Sequence, residues 1–179
     1  LSNMHVPFND LSLIHNKVKK KINISINSTI KKNSFILSKQ VDLFEKEFSR
    51  YCCAKYSIGC GNGYDALFLA IKSLNLKRGT EVIIPAMTYA ATAYAAINAD
   101  LKLILVDVDK QGLLDMEKLE KKLNSRTGLV IPVHLYGQSV NMKRLRLLKK
   151  KYNFKIIEDC AQAHGALDLS TNRKIGCIG

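Results

Sequence analysis

The chain has 179 residues, 47% of them apolar, and 28 Lys plus Arg against 15 Asp plus Glu, a formal charge of +13. This composition excludes a disordered or collagen-like chain and fits either one domain with a sizeable core or a piece of something larger. The basic excess is scattered: Lys17 with Lys19 to Lys21, Lys31 with Lys32, and Lys143 to Lys151 sit in segments with helical apolar spacing and read as solvated helix faces, and no Trp accompanies them, so neither a nucleic-acid nor a membrane partner is expected.

In chain order, the opening from Leu1 to Phe8 lacks a charged stretch followed by an apolar one, so no secretion signal is read there. Ile14, Val18, Ile22, Ile26 and Ile30 recur every four positions and predict a first helix. A second helix is predicted over 39–51, with Val41, Phe44, Phe48 and Tyr51 on one face and Ser38 as a cap. After Lys55 the texture changes. Strands are predicted at 56–58, 81–84, 102–106, 129–133 and 154–158, and helices between them at 64–74, 90–99, 115–123 and 141–152. Such alternation implies βαβ units and a mostly parallel sheet, because parallel neighbours need a crossover that packs on the sheet. The runs Val82 to Ile84, Leu103 to Val106 and Leu129 to Ile131 are continuously apolar, as strands covered on both faces should be. No apolar run approaches the ~18 residues of a spanning helix. Cys52, Cys53, Cys60, Cys160 and Cys177 form no C-x-x-C pair and no metal-ligand spacing; they read as reduced thiols of a cytoplasmic protein, with no metal expected. The chain stops in Gly176-Cys-Ile-Gly179 without a cap or charged tail, which reads as a fragment.

Ligands of open parallel sheets collect at the carboxyl ends of strands, so the residues after each predicted strand are the candidates for chemistry. Gly59-Cys-Gly61-Asn-Gly63 precedes Tyr64 and Asp65 at a helix start: either backbone N–H groups converge there on an anion or the segment is a tight turn, with Asp65 complementing the helix dipole. Its spacing is neither the dinucleotide fingerprint nor a Walker loop. Thr88 either caps the next helix or brings Tyr89 to the sheet edge, where a flat cofactor could stack on its ring. In Glu158-Asp159-Cys-Ala-Gln162, an acid at the end of a buried strand either caps a turn or meets a positive partner such as a protonated pyridine nitrogen, with Gln162 able to donate to a phenolic oxygen. His134 follows a strand without a paired Ser or Cys and reads as a hydrogen-bonded core residue.

Six segments in register resemble the DegT/DnrJ/EryC1/StrS family of sugar aminotransferases, pyridoxal-phosphate enzymes of fold type I. They are Val6 to Leu11; Phe35 to Ser38 with Val41 to Phe48; Gly61 to Leu67; Pro85 to Thr92; Val133 to Gln138; and Glu158 to Ala166. The resemblance implies a three-layer α/β domain with a mostly parallel sheet flanked by helices, and pyridoxal 5'-phosphate as cofactor. Gly63, Tyr64 and Asp65 would meet its phosphate, Tyr89 would stack on its ring, Asp159 would hold the ring nitrogen protonated and Gln162 would bond the phenolic oxygen. Tyr64 stands where the family often has Thr, and Cys53 where Gly is common. No Lys present matches the family's Schiff-base Lys, which would follow Gly179, so the chain alone is expected to be inactive. The implied organisation is a helical segment over 1–54 and an incomplete cofactor domain over 55–179, without the small C-terminal domain. The implied partners are a nucleotide-linked keto sugar, an amino-acid amine donor and a second copy in a homodimer. A dehydratase of the same family and a non-catalytic phosphate-binding module are the rival readings.

Overall fold

The computed structural model describes residues 6–178; residues 1–5, part of the opening read for a secretion signal, and residue 179 lie outside it. The chain divides into two units, one ending at Phe44 and one beginning at Glu45. The first holds α1 (Ser12–Lys31), the helix announced by the isoleucine repeat, which buries none of its residues, and the opening of α2 (Lys39–Cys52).

The second unit continues through α3 (Gly63–Ser73), β1 (Glu81–Pro85), α4 (Ala90–Asn98), β2 (Lys102–Val106), α5 (Met116–Lys122), β3 (Thr127–Val130), α6 (Met142–Tyr152), β4 (Lys155–Ile156), β5 (Leu167–Asp168) and β6 (Arg173–Lys174). The first four strands form one parallel sheet in the order β2-β1-β3-β4. Alternate residues of the central strands face opposite layers. Ile83 and Val130 pack with Leu119 of α5 and with Met142, Leu145 and Leu148 of α6. Val82, Ile84, Leu129 and Ile131 pack with Ile71 of α3 and with Ala95 and Ala96 of α4. The fold is therefore three-layer α/β, with a mostly parallel sheet flanked by helices. Each of the buried Val, Leu, Ile and Met side chains among these contributes about 1.5–3 kcal/mol, the alanines less.

Helix starts follow local chemistry. The side chains of Asn62, Asp115 and Asn141 accept backbone N–H groups in the first turns of α3, α5 and α6. Asn153, in the left-handed region, closes α6.

Several expectations differ from the structure. β2, read as a strand covered on both faces, lies at the sheet edge and leaves Leu105 53% exposed. Residues 56–58 form no strand: Tyr56 and Ile58 are exposed, and no neighbouring strand among the described residues supplies the ladder that would stabilise them. The last two strands of the sheet end early, because Pro132 has no N–H to give the ladder. Pairing resumes one step later, where Val133 bridges Asp159. The antiparallel hairpin β5–β6 was not foreseen. Its turn is closed by the buried Asp168: burial pushes this carboxyl up, but hydrogen bonds from Ser170 and Thr171 outweigh it and hold it below the ordinary value.

Candidate functional site

The connections give the sheet a switch point. The chain leaves β1 for its neighbour β2 through α4 on one face, and leaves β3 for β4 through α6 on the other. The crevice lies between the carboxyl ends of β1 and β3, where open α/β sheets bind ligands. Asp159 sits at this edge. Its backbone is stitched to the end of β3, its N–H donating to Pro132 O at 3.0 Å and its carbonyl accepting from His134 N at 3.0 Å. Its side chain, in a residue only 8% exposed, accepts from Thr92 Oγ1 at 2.9 Å and from Ala161 N at 3.2 Å. No cation pairs with it among the described residues.

Thr92 lies in the first turn of α4, three residues after Tyr89, which occupies the N-cap position without a side-chain cap bond. Thr88, read as a possible cap, instead places its hydroxyl 3.1 Å from that of Thr92. The Tyr89 ring is exposed at the rim. Gln162 Oε1 accepts the N–H of Tyr136 at 2.9 Å, bracing a residue whose φ of 54° lies in the left-handed region. This use of the oxygen leaves the Gln162 Nε2 as the group available to donate.

The Gly61-Asn62-Gly63 turn is built separately. Asn62 caps α3 by accepting Asp65 N at 2.9 Å, while its amide donates to Asp65 Oδ2 at 2.8 Å. A Cβ on Gly61 would stand 3.0 Å from that carboxylate, a tight contact to which the Asp65 side chain would have to give way. Asp65 is thus committed to the cap. Gly63 and Tyr64 hold the first N–H groups of the helix, which have no intrahelical acceptor. The Tyr64 hydroxyl accepts from Asn98 at the far end of α4 at 2.7 Å, so its side chain serves the helix pair. No hydrogen bond among the described residues joins this turn to the Asp159 group.

Behind Asp159 a second polar post is fully buried. The His134 Nδ1 accepts the N–H of Val140 at 3.1 Å, which leaves the proton on Nε2, 3.3 Å from Glu158 Oε2. The Glu158 carboxylate also accepts from Gly176 N and Ile178 N, each at 2.8 Å. With Cys160 these side chains bring three potential metal ligands within 4.8 Å of one another. A metal would need the Nε2 lone pair that the tautomer denies it. Burial, then the charges of Glu158 and Asp159, push the Cys160 thiol up and keep its proton on. The cluster is a hydrogen-bonded brace, and His134 is the core residue its sequence context suggested. A cavity of about 250 Å³, lined by Phe48, Cys52, Cys160, His164 and Lys174 among others, adjoins this brace and includes none of the six candidate cofactor residues.

The structure therefore brings Asp159, Gln162 and the helix carrying Tyr89 to one edge. Sequence reasoning missed Thr92 and Glu158. Nothing local announced either: Thr88 lies before the N-cap of α4, so its spacing to Thr92 is not that of one helix face.

The parallel sheet flanked by helices has the large-domain architecture of fold-type I pyridoxal-phosphate enzymes. The chain belongs to the DegT/DnrJ/EryC1/StrS aminotransferase family, which it matches over residues 16–179. It is 43% identical over 176 residues to the dTDP-3-amino-3,6-dideoxy-alpha-D-galactopyranose transaminase of Aneurinibacillus thermoaerophilus, covering 97% of this chain and 48% of that one. Among solved structures it resembles S. venezuelae DesV in complex with a ketimine intermediate, with TM-score 0.85, 34% identity, and 89% and 43% of the two chains covered. It also resembles a GDP-4-keto-6-deoxymannose-3-dehydratase with a trapped PLP-glutamate geminal diamine, with TM-score 0.77, 25% identity, and 80% and 39% covered. The chain spans about half the length of the curated relatives it matches. Pyridoxal phosphate is the cofactor of this family.

Proposed function

We propose that the chain is the cofactor-binding part of an aminotransferase that moves an amino group, from a donor such as glutamate, to a keto group of a nucleotide-linked sugar. The observation that carries this reading is Asp159, a buried carboxylate at the switch-point crevice held only by neutral donors. Such a group fits a ligand that brings its own positive charge. Pyridoxal phosphate, when bound, supplies an electron sink for the bonds broken at the amino-bearing carbon. Asp159 holds a proton at the ring nitrogen, Gln162 donates from Nε2 to the phenolic oxygen, and Tyr89 covers the ring. Gly63 and Tyr64 offer N–H groups to the phosphate, in a turn that Asp65 stiffens through Asn62. α3 runs from this turn to the loop feeding the amino end of β1, which supports a place for the turn on the carboxyl side. The cofactor domain covers 55–179 and the helical segment 1–54.

No Lys near these motifs suits the covalent role. Lys174 Nζ donates to the Tyr51 carbonyl and lies 3.7 Å from that ring's centre, Lys55 lies over Tyr56, and Lys155 is exposed on β4. The 179-residue chain alone should be inactive in amine transfer, and borohydride reduction with pyridoxal phosphate should label none of its lysines stoichiometrically. The functional unit is a homodimer, a reading supported by the exposed Tyr89, Tyr94, Ile97 and Tyr136, and light scattering on the complete protein tests it. No helix among the described residues is long and apolar enough to cross a membrane, and the free thiols suit the cytoplasm.

The test is to supply the complete protein with pyridoxal phosphate, glutamate and a panel of nucleotide-linked keto sugars and to identify products by mass spectrometry. An amino sugar with matching 2-oxoglutarate supports the reading. Loss of a hydroxyl without net amine transfer supports instead the dehydratase alternative, which the likeness to a dehydratase structure favours.

A further inference from the structure

We infer that Thr92 is a positioning residue for Asp159 and that Thr88 completes it, the two hydroxyls forming a one-way hydrogen-bond chain that aims the carboxylate into the crevice. The inference rests on the cofactor reading above, in that the aim matters for a ring nitrogen. The direction of the chain follows from proton counting. An ionised Asp159 carboxylate can only accept, so Thr92 spends its single hydroxyl proton on Oδ2, at 2.9 Å. The 3.1 Å contact between Thr92 and Thr88 must then take its proton from Thr88. Each bond polarises the next, and the pair lies where water competes little, Thr92 being 1% exposed.

At the other oxygen, Ala161 N donates to Oδ1. The carboxylate is thus held at both ends and cannot turn about its Cβ–Cγ bond without breaking one contact. Backbone pairing does not do this work: the bonds to Pro132 and His134 fix the Asp159 main chain and leave the side chain free to rotate. Thr88 is also the residue before Tyr89, so the same two hydroxyls set the acid and the aromatic rim residue in register. An acid that must meet one ring N–H needs that register, since small misplacements of a reacting group are costly.

The experiment compares Thr92→Val, Thr92→Ser and Thr88→Ala in two settings. In the isotope-labelled complete protein without cofactor, amide exchange is read at Ala161, which reports the carboxylate's orientation, and at Ile131, which reports the sheet through its bond to Ile83. Thr92→Val should speed Ala161 exchange about tenfold, as expected for losing a hydrogen bond to a charged group, and leave Ile131 unchanged. Thr92→Ser should match wild type, and Thr88→Ala should fall between. In the complete protein, the half-saturating concentration of pyridoxal phosphate should rise about tenfold in Thr92→Val, with a changed absorbance spectrum, and Ser should restore both. A Thr92→Val protein with wild-type Ala161 exchange, or a Ser variant that fails to rescue, overturns the inference. Asp159→Asn is the separate control: if it leaves cofactor affinity and spectrum untouched the cofactor reading fails, while Ala161 exchange still decides whether Thr92 holds the carboxylate.

Discussion

At the amino end of β1, Glu81 is buried, yet it receives Asn124 Nδ2 at 2.8 Å, Arg126 Nε at 2.9 Å and Lys102 Nζ at 3.2 Å. At the opposite edge, beyond β4, Asp159 is buried to a similar degree and receives a hydroxyl and an amide, with no cation beside it among the described residues. Both carboxylates accept hydrogen bonds from the chain. Among the described residues, only the first has its charge answered by cations. The contrast separates a carboxylate that ties strands together from one left electrostatically open toward a crevice, and burial alone would not have told them apart.

The largest expected effect breaks the comparison at the open end. In the complete protein, Asp159→Asn should lower amine transfer by roughly a hundredfold or more while the cofactor still binds, because an amide cannot hold the ring nitrogen protonated. Steady-state rates with glutamate check this. Turnover like that of the wild type would place the function of this edge elsewhere.

The closed end should respond in stability. Hydrogen bonding from Asn124 first, opposed by burial and helped by Lys102 and Arg126, holds the Glu81 carboxyl below its ordinary value of 4.5. A carboxyl lowered on folding stabilises the native state above its unfolded value, and the contribution fades as pH falls through the folded value. Glu81→Gln should therefore cost about 1–3 kcal/mol near neutral pH, reduced from a fully buried pair because both cations are largely exposed. The gap from wild type should close below pH 4.5. Urea unfolding at pH 7 and pH 3.5 reads it directly, and a gap unchanged at pH 3.5 would mean that the charge is not what Glu81 contributes.

Much of this contrast was legible in the sequence, and the unread part has a physical pattern. The helices α3 to α6 and the apolar strands announced themselves because periodicity and capping residues are local. Asp159, Gln162 and Tyr89 were singled out because each follows a strand, where parallel sheets expose their ends. Glu81 looked like the polar start of a strand, since its partners lie 21 to 45 residues away and no local pattern links them. Thr92 was hidden for the same reason, 67 residues from the acid it holds. The segment 56–58 was misread because its composition suits a strand while no partner strand is present among the described residues.

The smallest expected effect sharpens what the open edge does with its neutral groups. Gln162 has two ends: Oε1 accepts the Tyr136 N–H, and Nε2 is the donor proposed for the phenolic oxygen. Gln162→Glu keeps an acceptor for Tyr136 but replaces the donor with negative charge. Gln162→Ala removes both. Because Tyr136 is largely exposed, water can replace the lost acceptor, so neither change should move the unfolding free energy by more than about 0.5 kcal/mol. Cofactor affinity in the complete protein should separate them. Ala should weaken it a few-fold, the cost of one neutral hydrogen bond, and Glu should weaken it more by setting a carboxylate against an electron-rich oxygen. Were Glu to bind as tightly as wild type, the amide nitrogen would not face the phenolic oxygen, and Gln162 would be only the brace of the Tyr136 turn.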